Sequence, residues 1–187
     1  MRVIAGKYRS RILKSPGKLR MRPTSDRLRE TLFNVLGASV EDSLFVDLFA
    51  GTGAIGIEAI SRGAREAIFV ESHAASARLV RQNLDSLGIR AGVEVIEADA
   101  VRGLEKLAAR HLAADFIFLD PPYEKEEDYE RVLEFLDASH LVAPRGIVIV
   151  EHRDSTDLPE RFERLECSRV LEQGDSSLSF YRLAAAA

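Results

Sequence analysis

The sequence predicts an α/β fold of the Rossmann-like type, a doubly wound and mostly parallel sheet. From residue 44 onward, five short apolar runs alternate with amphipathic stretches, as in βαβ units whose strands are buried on both faces. A glycine-rich loop, Gly51 to Gly56, follows the first run with the spacing of a nucleotide-binding turn. Phe162–Leu171 and Leu178–Leu183, separated by Gln173-Gly174-Asp175, have the pattern of an antiparallel hairpin that closes the sheet.

Each element follows from its own residues. Mixed apolar and basic residues over 2–13 predict a short basic β-ribbon, and prolines with a glycine predict a loop over 15–23. A helix is predicted after Thr24 or Ser25 as its N-cap, ending near Gly37. The predicted strands are Leu44–Phe49, Ala67–Val70, Val93–Ile96, Phe116–Leu119 and Ile147–Val150. The predicted helices between them lie near 54–63, 73–87, 100–111 and 126–138.

The composition is that of a globular protein with one main domain. The chain has 187 residues, of which 46% are hydrophobic, and its mean hydropathy is -0.08. Its one cysteine, Cys167, excludes an internal disulfide and favours a reducing compartment, and no uncharged run approaches the ~18 residues of a membrane span. We therefore expect a cytoplasmic monomer with a basic extension over 1–24, a main domain over 25–183 and a tail over 184–187.

The charge is divided between two parts of the chain. Residues 1–30 carry ten basic and two acidic residues, whereas the other 157 residues carry 16 basic and 28 acidic residues. The overall net charge of -4 argues against a nucleic-acid partner, but the +8 charge of the first segment is the electrostatic footprint of one. The candidate phosphate contacts are Arg2, Lys7, Arg9, Arg11, Arg20 and Arg22. The alternative is a solvated surface whose arginines pair with the acidic main domain.

Asp47 indicates which nucleotide the glycine loop binds. It lies four residues before Gly51, at the end of the first predicted strand. A carboxylate there repels a pyrophosphate but attracts a cation, and S-adenosylmethionine carries an ammonium and a sulfonium and has no phosphate. The alternatives are that Asp47 pairs with a helix N-terminus, and that the glycines serve only a tight turn.

Acidic residues also end the next two predicted strands. Glu71, followed by Ser72, ends the second strand, where a carboxylate can accept both ribose hydroxyls. Asp99, followed by Ala100, ends the third, where its side chain can meet an adenine amino group. The alternatives are a solvated strand end for Glu71 and a helix N-cap for Asp99.

The fourth predicted strand runs directly into Asp120-Pro121-Pro122-Tyr123, at the edge of the sheet where ligands bind. An exocyclic amino group of a base is a poor nucleophile because its lone pair is delocalised into the ring. The Asp120 side chain and the Pro121 carbonyl can accept its two N–H groups and direct the lone pair at a methyl group. Tyr123 supplies a face on which an unstacked base can lie. The alternative is a proline-rich turn with a packed tyrosine.

These motifs resemble known enzymes. The tetrapeptide, together with the Phe49-x-Gly51-x-Gly53 loop, resembles the amino-directed branch of class I S-adenosylmethionine methyltransferases. The opening Gly6-Lys7-Tyr8-Arg9-Ser10-Arg11 and the stretch from Arg22 to Asn34 resemble the RsmD family, bacterial enzymes that methylate N2 of a guanine in small-subunit ribosomal RNA. The resemblance covers residues 1 to about 183. One departure is Ser10, which stands where glycine is usual; it bears on the local turn geometry and not on the activity.

The resemblance implies a seven-stranded methyltransferase sheet with an N-terminal RNA-binding extension and a catalytic loop from Asp120 to Tyr123. The implied cofactor pocket consists of Asp47, Phe49, Ala50, Gly51, Thr52, Gly53, Glu71, Ser72, Asp99, Ala100 and Asp120. The implied partner is ribosomal RNA, within a small-subunit particle or an assembly intermediate, and no metal is expected.

Three other functions remain open at the level of sequence. The same tetrapeptide serves DNA adenine-N6 methylation, although the short chain leaves little room for a base-reading domain. The glycine spacing also occurs in nicotinamide-dependent oxidoreductases, against which Asp47 and the tetrapeptide both argue. A non-catalytic RNA-binding module would leave the tetrapeptide unexplained. The four histidines have no metal-ligand spacing, and an ancillary role at the active edge is open for Glu151 and His152.

Overall fold

A computed structural model describes residues 1–15, 25–122 and 127–185 of the chain. The elements in chain order are α1 (Asp26–Leu36), β1 (Leu44–Leu48), α2 (Ala54–Ser61), β2 (Glu66–Glu71), α3 (Ala74–Leu87), β3 (Val93–Glu97), α4 (Ala100–Ala109), β4 (Ala114–Leu119), α5 (Glu127–Ala138), β5 (Val142–Arg153), β6 (Leu165–Gln173) and β7 (Ser176–Leu183). A short 3-10 turn over Gly37–Val40 follows α1. Within the described ranges, none of the helices has the length and apolar character needed to cross a lipid bilayer.

The predicted fold class is confirmed. The strands form one seven-stranded sheet in the order β3-β2-β1-β4-β5-β7-β6. The first five strands pair in parallel, whereas β7 is antiparallel to both β5 and β6. The chain runs from β1 to β3 on one side and resumes with β4 on the other, so the order reverses between β1 and β4. Open α/β sheets bind ligands at such a switch point.

Local sequence explains the first helix. Ser25 is the N-cap of α1, and its hydroxyl accepts a hydrogen bond from the Leu28 amide at 3.1 Å, as the sequence predicts. The helix ends at Gly37, whose φ of 56° lies in the left-handed region that favours glycine. Leu28, Leu32 and other apolar residues of α1 are buried, so the helix covers one face of the sheet.

The two faces of the sheet carry separate parts of the core. One part includes alternate residues of the central strands, such as Val46 and Leu119, and packs against α4 and α5. The other includes their neighbours, such as Phe45 and Phe118, and packs against α1. Because successive side chains of a strand point to opposite faces, strands buried on both sides must be apolar throughout. This explains the nearly continuous apolar runs in the sequence.

The N-terminal segment, residues 1–15, folds back onto the main domain. Val3 and Leu13 are each 2% exposed and pack with residues of α2 and α3. The β-ribbon predicted over 2–13 is limited to one antiparallel bridge between Arg2 and Ile12. A longer ribbon does not form because the amides of the residues after Val3 donate to a side chain of α2 instead of to the opposite strand.

Two backbone conformations fix the turn of this segment. Gly6 has a φ of 78°, and a Cβ at this position would lie 1.8 Å from the Ser61 carbonyl oxygen, so only glycine fits against the end of α2. Ser10, the departure from the family pattern, has a φ of 66°. The serine therefore adopts a left-handed conformation, which glycine takes without strain.

Candidate active site

The carboxyl ends of the central strands lie side by side. The register pairs Leu48 with Val70 on β2 and with Leu119 on β4, and Leu119 with Val150 on β5. The glycine loop after β1 and the proline loop after β4 therefore begin next to each other. The sequence places both candidate motifs after strands, and the parallel pairing brings them to one edge of the sheet.

The glycine loop is held in an unusual backbone conformation. Phe49, Gly51 and Gly53 have φ values of 59°, 57° and 76°, all in the left-handed region. The Gly53 amide donates to the Ala50 carbonyl at 2.7 Å, and the Ala50 amide donates to the Val70 carbonyl at 3.1 Å. The loop thus turns sharply from β1 into α2, with Phe49 as a non-glycine residue in a conformation costly for L-residues.

The glycines at the start of α2 also permit close packing. A Cβ on Gly56 would lie 2.4 Å from the Phe69 ring, and a Cβ on Gly53 would lie 3.0 Å from Val80. Thr52, between the two loop glycines, is 5% exposed. These glycines therefore bring the N-terminal end of α2 close to β2 and α3.

Asp47 lies beneath the glycine loop. It is 2% exposed, and its Oδ2 accepts a hydrogen bond from the Gly56 amide, in the first turn of α2, at 2.9 Å. Burial raises the pKa of the carboxyl to about 8, the Gly56 hydrogen bond opposes this, and the charge of Glu71 adds to it. Asp47 thus contacts the helix N-terminus, the alternative weighed from the sequence.

Glu71 supports the glycine loop. Its Oε2 accepts the Gly51 amide at 2.8 Å and its Oε1 accepts the His73 amide at 2.7 Å. The carboxylate is buried at the end of β2, whereas the next residue, Ser72, is exposed. The structure therefore brings Glu71 to the loop, as a ribose-binding role requires.

Asp99 caps a helix. Its Oδ1 accepts a hydrogen bond from the Val101 amide at 3.1 Å, so Asp99 is the N-cap of α4, the alternative that the sequence left open. Asp99 is half-buried and Ala100 is buried, at the edge of the sheet next to β2. The second carboxylate oxygen leaves acceptor capacity at this position.

The proline loop begins at the first residue after β4. Asp120 is half-buried, Pro121 is buried and Pro122 is exposed. Tyr123, the fourth residue of the predicted catalytic loop, lies outside the described residues. Because Leu119 pairs with Leu48, Asp120 follows β4 at the level where Phe49 follows β1. The side chain predicted to hold the amino group thus lies beside the glycine loop.

The predicted phosphate contacts lie on the surface of the N-terminal segment. Arg2, Lys7, Arg9 and Arg11 are all exposed. The Arg11 guanidinium donates to the Ser86 carbonyl at 3.4 Å, and the Lys7 ammonium lies 5.4 Å from the ring centroid of Tyr8. Arg20 and Arg22 lie outside the described residues. The four described cations remain accessible to a polyanion.

Sequence reasoning missed the residue that anchors this segment. Glu58 of α2 is fully buried and accepts the amides of Ile4 and Ala5 at 2.8 and 3.0 Å. Its Oε1 also accepts a hydrogen bond from Nε of Arg62 at 2.8 Å, and its Oε2 forms an ion pair with Nε of the buried Arg29 at 4.0 Å. A single charge within the apolar stretch of α2 is the signal that could have identified it.

His152 has a structural role in the described chain. Its Nε2 lies 2.8 Å from the Ser179 hydroxyl and its Nδ1 lies 2.8 Å from the Arg153 carbonyl. A carbonyl only accepts, so Nδ1–H donates to it and Nε2 accepts from the hydroxyl. Burial lowers the pKa of the imidazole, which favours this neutral form. The side chain therefore ties β5 to β7.

The residues around the glycine loop suit a cationic nucleoside. Asp47 and Glu71 are buried carboxyl groups near enough for the charge of Glu71 to raise the pKa of Asp47. An ammonium or sulfonium relieves this repulsion, whereas a pyrophosphate adds to it. These acidic residues therefore fit S-adenosylmethionine, and the predicted roles of Glu71 toward the ribose hydroxyls and of Asp99 toward the adenine amino group stay predictions.

Comparison with known proteins identifies the family. The model of the family Conserved hypothetical protein 95 matches residues 1–182. Ribosomal RNA small subunit methyltransferase D of Haemophilus influenzae is 33% identical over 186 residues, 98% of this chain and 92% of the relative. The Escherichia coli K12 protein of the same name is 34% identical over 160 residues, 85% of this chain and 78% of the relative.

Solved structures share the fold. A hypothetical protein of Thermus thermophilus has a TM-score of 0.84 and 30% identity, with 98% of this chain and 99% of that chain covered. An RNA methyltransferase of Salinibacter ruber, in complex with S-adenosyl-L-homocysteine, has a TM-score of 0.65 at 16% identity, with 89% and 96% covered. The chain therefore belongs to the Conserved hypothetical protein 95 family, the RsmD family that its N-terminal motifs resemble.

Proposed function

We propose that this protein transfers a methyl group from S-adenosylmethionine to the N2 amino group of a guanine in small-subunit ribosomal RNA. Family membership, and relatives named as small subunit methyltransferases, support a ribosomal RNA methyltransferase that uses S-adenosylmethionine. The observation that carries the proposal is the adjacency of Asp120-Pro121-Pro122 to the glycine loop at one edge of the sheet. The choice of amino group rests on Asp120, Pro121 and Glu151.

The residues of the chain have separate tasks in this proposal. The cofactor, when bound, supplies an electrophilic methyl group on its sulfonium. Asp120 accepts one N–H of the target amino group and the Pro121 carbonyl accepts the other, which directs the nitrogen lone pair at that methyl group. As the N–C bond forms and the S–C bond breaks, positive charge develops on nitrogen, and the Asp120 carboxylate stabilises it and takes the proton. Tyr123 stacks on the base.

Glu151 supports guanine as the target base. Asp120 and Glu151 follow the paired residues Leu119 and Val150, and Glu151 is 5% exposed. Continued alternation along the two strands puts both carboxylates on the face that carries Phe118. Guanine presents two kinds of donor here, its N2 amino group and the adjacent N1–H, whereas N1 of adenine is an acceptor. Two neighbouring carboxylates therefore match guanine.

The direct test is transfer of a tritiated methyl group to four substrates. These are naked small-subunit ribosomal RNA, small-subunit particles, naked DNA and large-subunit ribosomal RNA, with mapping of the modified nucleotide. We expect N2-methylguanine in the small-subunit RNA. Label on DNA adenine with silent RNA would replace the proposal by the adenine-N6 alternative. Binding of RNA without turnover would leave only a binding module, and calorimetric binding of NAD in place of S-adenosylmethionine would indicate an oxidoreductase.

Glu151→Gln is expected to alter base discrimination. The substrate pair is RNA with guanine or with 2-aminopurine at the mapped position, since 2-aminopurine keeps the amino group but has an acceptor at N1. The wild type should prefer guanine strongly, and Glu151→Gln, whose amide can donate to N1, should narrow the kcat/KM ratio by about tenfold or more. An unchanged ratio would exclude Glu151 as the N1–H acceptor, whatever the total activity.

Arg9→Gln with Arg11→Gln is expected to weaken RNA binding in a salt-dependent way. Each lost phosphate contact lowers the slope of log K against log salt by about 1, so the double variant should lose about 2. The matched control is Arg145→Gln with Arg169→Gln, two exposed arginines of β5 and β6. Filter binding from 50 to 300 mM salt measures both. Equal slopes for the two variants would remove the RNA contact from this segment, and cofactor affinity should not change in either.

A further inference from the structure

Asn83 of α3 is hydrogen-bonded to both the N-terminal segment and the glycine loop. It is fully buried, and its Oδ1 accepts the Lys14 amide at 2.8 Å. Its Nδ2 donates to the Lys14 carbonyl at 3.2 Å and to the Thr52 carbonyl at 2.9 Å. The reverse orientation of the amide would place NH₂ against an N–H and oxygen against two carbonyls, so the hydrogen-bond network fixes the assignment.

The same two parts of the chain touch elsewhere. The Thr52 hydroxyl donates to Sδ of Met1 at 3.6 Å. Val3 and Leu13 belong to the same apolar cluster as Ala50 of the glycine loop. The N-terminal segment therefore packs directly against the loop, and Asn83 is the polar connection between their backbones.

The connection joins two positions of functional interest. Thr52 lies between Gly51 and Gly53, whose φ values of 57° and 76° set the shape of the loop. Lys14 is exposed and belongs to the N-terminal segment that carries Arg9 and Arg11. The Thr52 carbonyl and both backbone groups of Lys14 are thus hydrogen-bonded to one side chain, the Asn83 amide.

We propose that Asn83 is a positioning residue that makes cofactor binding and RNA binding mutually favourable. This inference rests on the proposed function. The bound cofactor fixes the glycine loop and the Asn83 amide transmits this order to the Lys14 backbone, so that Lys14, at the end of the described N-terminal segment, meets the RNA with less conformational entropy to lose. Thermodynamic linkage requires the reverse effect to be equal, so bound RNA tightens cofactor binding by the same factor.

The first test measures this factor in solution. The Kd of S-adenosyl-L-homocysteine is measured with and without saturating unmethylated ribosomal RNA. We expect about tenfold tightening in the wild type, within the usual range for coupled sites. Asn83→Leu, which is similar in size and lacks all three hydrogen bonds, should reduce the factor to twofold or less. The matched control is Gln82→Ala, an exposed neighbour on α3, which should keep the wild-type factor.

A second test needs neither RNA nor a variant. Hydrogen exchange of the Lys14 amide, which donates to Asn83, is compared in the free wild-type protein and with S-adenosyl-L-homocysteine. We expect about tenfold slower exchange with the ligand. Equal exchange of the Lys14 amide in the free and ligand-bound protein would overturn the inference. In the first test, a wild-type coupling factor in a folded Asn83→Leu protein would overturn it as well. Failure of the proposed function is distinct, since it appears as the absence of methyl transfer by the wild type.

Discussion

Asp120→Ala is expected to reduce methyl transfer by at least about 10³-fold while S-adenosylmethionine still binds. The variant loses an acceptor for the target amino group, the negative charge that stabilises the developing cation and the group that takes the proton, and each such contribution is worth about 10²–10⁴. The side chain is half-buried beside the glycine loop, so its removal leaves a small gap and does not disturb the apolar core.

Asp120→Asn separates two of these contributions. The amide oxygen still accepts one N–H but carries no charge, so we expect an activity between those of the alanine variant and the wild type. Asp115→Asn is the matched control, because this residue lies near the start of β4, at the opposite edge of the sheet, where its Oδ2 accepts a hydrogen bond from the Leu44 amide at 2.8 Å. Single-turnover transfer and calorimetric cofactor binding are measured for all three. Wild-type turnover by Asp120→Ala would exclude the proposed mechanism.

Asp47→Asn is expected to remove a pH dependence from cofactor binding. Burial raises the pKa of this carboxyl to about 8 in the free protein. A cationic ligand favours the carboxylate, so binding releases a proton. Cofactor affinity should therefore rise by up to about tenfold per pH unit as the pH approaches 8, and then level off. In Asp47→Asn the amide oxygen still accepts the Gly56 amide, but this titration is absent.

Calorimetry between pH 6.5 and 8.5, in two buffers of different ionisation enthalpy, measures the affinity and the proton release together. The profile of Asp47→Asn reports the titration of the ligand's own amino group, so the difference between the two proteins isolates Asp47. Parallel profiles with equal proton release would show that Asp47 does not sense the ligand charge. At pH 8 and above, the variant should bind the cofactor about tenfold or more weakly, because it lacks the buried carboxylate.

The same carboxyl has a predictable effect on stability. Its folded-state pKa lies above the ordinary value of 3.8, so its contribution to the free energy of unfolding is fully present below pH 4 and is lost as the pH rises through 8. Asp47→Asn carries no charge at any pH. We therefore expect the free variant to melt higher than the wild type at pH 8–9 and at nearly the same temperature at pH 4. Each kcal/mol gained corresponds to roughly 2–4 °C in a chain of this size.

Local sequence patterns predicted most of the fold because the burial and capping of each helix or strand constrain its own residues. The continuous apolar run of β1 follows from burial on both faces, and the start of α1 follows from the Ser25 cap. The hairpin of β6 and β7 followed from the turn at Gly174, whose φ is 66°. The β-ribbon was overestimated because the partners of Ile4 and Ala5 are the oxygens of Glu58, more than fifty positions away.

The sequence by itself determined the fold class, the family and the two loops of the candidate site. Parallel strands bring their carboxyl ends to one edge, so residues that follow apolar runs, such as Asp120 and Gly51, can be placed together without a structure. Only the tertiary structure decided which partners the buried polar groups have. Asn83 is hydrogen-bonded to Lys14, 69 positions away in the sequence. The hydrophobic periodicity of the sequence does not predict such a pairing, because the pairing depends on how α3 and the N-terminal segment pack.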